Sequence, residues 1–136
     1  MRKRAGMRIS ADMMNDNSID EQTSSGLQLE DDFSFMSFRG EKVNGVTSLS
    51  ITLEYVGSNV TATADGNIGD VIVGFLPEGW WPPEQITSYF GKSDDSDGSF
   101  TVQTTGRILL KTMNNNATLS SGQLVFLAVM WISENN

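Results

Sequence analysis

The 136-residue chain contains no histidine and no cysteine. Without histidine there is no Ser-His-Asp or Cys-His nucleophile, no imidazole acid/base near neutrality and almost no catalytic zinc set. Without cysteine there is no disulfide framework and no thiolate chemistry. The remaining route for an enzyme is a carboxylate pair across a cleft, as in glycoside hydrolysis, and the sequence gives no reason to choose one pair over another. Basic residues are also scarce, 9 against 17 acidic, for a net charge of −8. Four of them, Arg2, Lys3, Arg4 and Arg8, stand at the start, so the rest of the chain is more acidic still. A nucleic acid partner for the body is therefore not expected, because phosphate contacts need a basic stripe. The basic cluster itself reads as a solvated terminus or a contact for an acidic partner. No apolar run of about 18 residues occurs, so no membrane insertion is expected. No apolar segment follows the basic start, which sets aside a signal peptide.

What is present is β-patterned. Residues 1–27 are polar, rich in Asp, Asn, Ser and Gln with scattered methionines, and read as an N-terminal arm, docking or disordered, with at most a helical turn around Asp12 to Asn17. Residues 28–136 read as one domain of a size that buries roughly two thirds of its unfolded surface. Asn44-Gly45 between Val43 and Val46 is a strong hairpin signal. Leu49, Ile51, Leu53 and Tyr55 then alternate with Ser50, Thr52 and Glu54, which places one face in a core and the other in water. Further short strands are expected at Val60–Ala64, Val71–Leu76, Phe100–Thr104, Ile108–Met113 and Leu124–Ile132, separated by Gly, Asn and Asp turns. Six to eight strands and no useful helical period argue an all-β fold, an antiparallel β-sandwich of jelly-roll-like form.

Two stretches carry candidate chemistry. Pro77, Pro82 and Pro83 are all the prolines of the chain, and with Gly79 they make a stiff loop that delivers Trp80 and Trp81. Indole faces in a rigid loop suit the CH face of a sugar ring; the competing reading is that one ring caps the sandwich and the other packs at a subunit contact. Trp131 lies in the last apolar strand and reads as core or intersubunit packing. The run Lys92 to Gly98 holds Asp94, Asp95 and Asp97. As an EF-hand it fails, with Ser93 at the first ligand position and Thr104 where the bidentate glutamate belongs. A looser calcium site, an acceptor site for sugar hydroxyls and an exposed loop tip remain open there. The matches at Asn59-Val60-Thr61 and Asn116-Ala117-Thr118 say no more than polar turn.

VIVGFLPEGWWPP, SFTVQTTGRILLKT and LVFLAVMWI, in that order, resemble the C-terminal head domain of bacteriophage tail and baseplate receptor-binding proteins, of the lactococcal lower-baseplate or tail-fibre type. There, a leucine-proline-glycine-aromatic-proline turn precedes a strand, a Thr-Gly turn and a closing strand. The resemblance spans roughly residues 34–133, with Trp81 where an arginine is more usual. It implies a non-enzymatic virion adhesin of the tail or baseplate, a homotrimer that binds host cell-wall or surface polysaccharide, with residues 1–27 docking other virion proteins. The expected saccharide contacts are Trp80, Trp81, Tyr89, Asp94, Asp95 and Asp97, with no metal and no cofactor. A structural or decoration protein of the virion without a ligand site is the alternative.

Overall fold

The computed structural model describes residues 21–94 and 96–133. Asp95, the basic cluster and the helical turn expected near Asp12 lie outside them. The described chain forms eleven strands: β1 Glu21–Thr23, β2 Gln28–Leu29, β3 Phe33–Val43, β4 Val46–Tyr55, β5 Val60–Thr61, β6 Asn67–Phe75, β7 Ile86–Lys92, β8 Asp97–Val102, β9 Arg107–Met113, β10 Thr118–Leu119 and β11 Leu124–Ile132. Nine make one antiparallel sheet in the order β1-β3-β4-β11-β7-β8-β9-β6-β2, and β5 pairs with β10 apart from it. Phe38 of β3 and Val73 of β6, from opposite ends of that order, join the same buried cluster. The sheet therefore curls back on itself, the jelly-roll-like architecture expected.

The local causes are those visible in the sequence. Asn44 and Gly45 take positive φ of 52° and 83°, the hairpin turn whose twist matches its flanking strands. Leu49, Ile51, Leu53 and Tyr55 are buried while Ser50 faces solvent. In β11, Val125, Leu127 and Trp131 point inward and Phe126, Met130 and Ile132 outward. The strand count exceeds expectation because β1, β2 and β10 are two- or three-residue pairings and because β7 was not anticipated, while the strand expected at Val60–Ala64 shortens to β5.

Part of the expected arm belongs to the sheet. Glu21–Thr23 pair with Lys42–Gly40 on β3, and Gln28–Leu29 pair with Phe75–Gly74 on β6. These are the two ends of the strand order, so residues 21–29 form a strap across the free edges of the curled sheet. Leu27 and Leu29 pack against the core, and the Glu30 N–H continues the seam with a 2.9 Å bond to Val73 O. Uncovered edges template unwanted pairing, so the strap both closes the core and blunts two long edges.

Removing residues 1–20 is expected to leave the thermal midpoint within about 2 °C, whereas removing residues 1–29 lowers it by about 10 °C. Calorimetry with light scattering checks this: the shorter variant should also associate through the exposed β3 and β6 edges. Equal midpoints for the two truncations would show that the strap contributes nothing to closure.

Candidate functional site

The proline loop treats its two tryptophans differently. The Trp80 N–H closes a turn on Pro77 O at 3.1 Å, and the ring goes inward to 5 % exposure over Gly40, where a Cβ would come within 2.9 Å of it. Lys42 Nζ lies 4.6 Å from the Trp80 ring centroid and donates to Gly79 O at 2.7 Å. Trp80 thus offers a ligand only its rim, on a cavity of about 150 Å³ shared with Lys42, Trp81 and Trp131. The stacking face expected of it is occupied by core packing. Trp81 lies over Gly106, whose φ of 86° and lack of Cβ allow the approach, and its Nε1 donates to Leu76 O at 2.9 Å. That ring is fixed and 42 % exposed.

The acidic loop also divides. Lys92 has a fully buried side chain, and its Nζ donates to Thr118 O at 2.6 Å, with Asp94 Oδ2 and Gln123 Oε1 each at 3.4 Å. A buried ammonium needs such partners. Asp94 Oδ1 in turn accepts from the Ser96 hydroxyl at 2.6 Å and the Ser96 N–H at 3.1 Å, and Gln123 Nε2 donates to Oδ2 at 3.1 Å. The Ser96 donors, with the Lys92 charge, hold the Asp94 carboxyl down at about 2. Asp94 is a fastener of its own loop, with both oxygens already engaged.

Asp97 and Tyr89 are the expected site residues that converge. β7 pairs with β8 so that Gly91 stands opposite Asp97 and Tyr89 opposite Ser99. Tyr89 is 78 % exposed, an aromatic ring held on a strand and left bare. It borders a cleft of about 490 Å³ with Asp97, Thr112, Asn114 and Asn115. Asn114 Oδ1 accepts from the Asp97 N–H at 2.7 Å and the Asn114 N–H returns to Asp97 O at 3.0 Å, fixing the floor. The Ser99 and Thr112 hydroxyls are bonded to each other at 2.7 Å beside it. One flat ring, one exposed carboxylate and two side-chain amides form a surface suited to a polyhydroxylated ligand. Among the described residues no three His, Cys, Asp or Glu side chains converge as a metal set. Asn114 and Asn115 were not singled out in the sequence, where they open a long polar loop; the end of the β-pattern at Met113 is the signal that places them at a sheet rim. Asp97 and Asn114 lie at one end of β8 and the Trp81 platform beyond the other.

Because Asp94 titrates near 2 when folded against 3.8 unfolded, it stabilises the fold fully above the unfolded value, and that contribution is lost as the pH falls through the folded one. Melting curves from neutrality down through this window should show Asp94→Asn losing stability at neutral pH and losing less than the parent on acidification. An unchanged acid dependence in the variant would remove Asp94 from this role.

No family model matches the chain, and no curated protein matches it. Among solved structures it is similar to the receptor binding protein (gp15) of Listeria phage PSA, with a TM-score of 0.56 and 10 % sequence identity. The match covers 99 % of this chain and 82 % of that one, so the two share a fold.

Proposed function

We propose that the chain is the receptor-binding head of a phage particle, sited on the virion, and that it holds host-surface saccharide reversibly in the cleft between Tyr89, Asp97 and Asn114. The observation that carries the reading is the bare Tyr89 ring beside the fixed Asn114 amide, on a fold shared with a phage receptor binding protein. Tyr89 supplies the stacking face, Asp97 accepts from hydroxyls, and Asn114 and Asn115 supply further polar contacts. The reading is adhesion without chemistry: Asp94 is tied to Ser96, Gln123 and Lys92, leaving Asp97 as the free carboxylate of the pair.

The same reading makes the head a homotrimer. On β11 the outward row Phe126, Ala128, Met130 and Ile132 carries no charge, and its β4 neighbours Thr52, Ser50 and Ser48 carry none either. In a chain of net charge −8, copies meet with least repulsion on such a face. Repetition also raises avidity by about 10² to 10⁴ without new contacts, which a shallow single cleft requires.

Tyr89→Ala and Asn114→Ala are expected to weaken binding to purified host wall polysaccharide by about 5- to 150-fold, the range of about 1 to 3 kcal/mol for a hot-spot contact. Tyr89→Ala should leave the melting midpoint unchanged, since its side chain packs little. Trp81→Ala should lower the midpoint, through loss of the Leu76 bond, with little change in binding. Retained binding by folded Tyr89→Ala would move the receptor site elsewhere or favour a decoration role. Separately, light scattering should give a trimer mass that Phe126→Lys reduces to a monomer.

A further inference from the structure

We propose that Arg107, at the start of β9, is an oxyanion site whose guanidinium takes a phosphate or carboxylate group through its outer edge. This goes beyond the saccharide reading, because the Tyr89 cleft meets β9 at Thr112 and Met113, the other end of the strand. Of the five Lys and Arg side chains among the described residues, four are already engaged. Arg39 holds Glu41 and Gln22, and Lys42 holds Glu21 and Gly79 O. Lys92 is buried among Thr118 O, Asp94 and Gln123, and Lys111 holds Asp70 at 3.0 Å. The Arg107 side chain has neither a carboxylate nor a hydrogen bond among those residues. In a chain with 17 acidic residues against 9 basic, a cation is thus left unmatched where anions are plentiful.

The guanidinium is also held in a costly state. Its Nε is buried with no hydrogen-bond partner, the one such side-chain atom among the described residues. An unpaired buried donor costs free energy, and more when the group is charged. Nε alone is sealed, so the two Nη nitrogens meet solvent and present the coplanar N–H pair that a carboxylate or phosphate accepts bidentately. Partial burial strips water from the cation, so an arriving anion competes with less hydration than at a fully exposed arginine. The surroundings supply no anion of their own. Register sets Phe75 across from Arg107 on β6 and Gln28 beyond it on β2, and Gln103 closes the other side through its N–H to Arg107 O at 2.9 Å; none is charged. The mount is rigid. The Gly106 N–H bonds Gln103 O at 2.8 Å and Gly106 O accepts from the Leu76 N–H at 2.9 Å, so the backbone carrying Arg107 is fixed before a ligand arrives. An acidic chain repels anions at long range, so recognition here rests on the short-range fork rather than on a broad positive field.

The test is the side-chain Nε–H resonance of Arg107 in the isotope-labelled full chain, titrated with inorganic phosphate and separately with acetate, sodium chloride holding the ionic strength constant. Arg39, already paired, is the internal control. The Arg107 signal should shift saturably with a midpoint of about 1 to 10 mM, the affinity of a small site, while the Arg39 signal moves less than about a tenth as far. Saturation by phosphate alone assigns the site to phosphoryl groups, by acetate alone to carboxylates, and by both to the shared fork. Arg107→Lys keeps the charge and removes the fork; followed through the Gly106 and Gln103 amides, it should bind at least about tenfold more weakly. Arg107→Gln serves if the lysine variant does not fold, and should show no saturable shift. No saturable shift in the parent, binding by either variant equal to the parent, or Arg39 and Arg107 moving together, which means an adventitious ion only, would each overturn the proposal. Tyr89→Ala should leave the titration unchanged; loss of the shift in that variant would place the anion in the cleft and overturn the proposal too. Polysaccharide does not enter the titration, so this site and the saccharide reading stand or fall separately.

Discussion

A sheet that curls into a closed head leaves two free edges, and the other features of this molecule depend on how residues 21–29 join them. The strap does more than pair. Gly26, at φ +94°, lies where a Cβ would come within 2.9 Å of Pro77, so the proline loop rests directly on the strap. Glu21 reaches Lys42 at 3.4 Å, and the same ammonium holds Gly79 O and sits over Trp80. An exposed ion pair alone contributes little, about 0 to 1 kcal/mol. Joined to a carbonyl bond and a cation–π contact, it is one corner of a three-way junction between edge strand, β3 and loop. The rigidity of the tryptophan loop is a consequence of edge closure as much as of its prolines.

The two ends of the sandwich solve opposite problems. At the tryptophan end, three large rings converge and the difficulty is volume, met by Gly40 under Trp80 and Gly106 under Trp81. At the far end the difficulty is charge. An uncompensated buried ammonium costs several kcal/mol, so Lys92 requires the oxygens of Thr118, Asp94 and Gln123. That requirement removes Asp94 from service as a ligand group and leaves Asp97, whose side chain points to solvent, free. The division of the acidic run into structural and available carboxylates thus follows from one buried lysine.

The sequence made the hairpin at Asn44, the inward face of β4 and the whole of β11 legible, because in each a local rule and the tertiary packing agree. It hid β7, whose inward positions include Ser88 and Lys92 and so break the alternation of apolar residues. The strap was hidden for a different reason: Glu21–Thr23 and Gln28–Leu29 act through their backbones, and their polar composition reads as an arm. Trp80 and Trp81 are adjacent and chemically identical. What separates them is two glycines far apart in sequence, Gly40 on β3 and Gly106 in the turn between β8 and β9. Tyr89 could be named as an aromatic, but its value as a platform depends on Asp97 and Asn114 arriving beside it from β8 and the end of β9.

Placing a cleft on strands rather than on a mobile loop sets its binding character. Tyr89, Asp97 and Thr112 are held by ladders, and Asn114 is locked to the backbone of Asp97, so little ordering accompanies ligand entry. The cleft is nevertheless shallow and its ring is bare on most of its surface, which limits the area that a unit of the proposed saccharide ligand can bury. A pre-organised but small site binds quickly and releases quickly. In the proposed receptor-binding role, such a site suits a particle that must sample a surface before committing to it, provided that several copies act together. Under the proposed trimer, the uncharged outer face of β11 would let acidic copies approach one another and so serve the same end as the cleft.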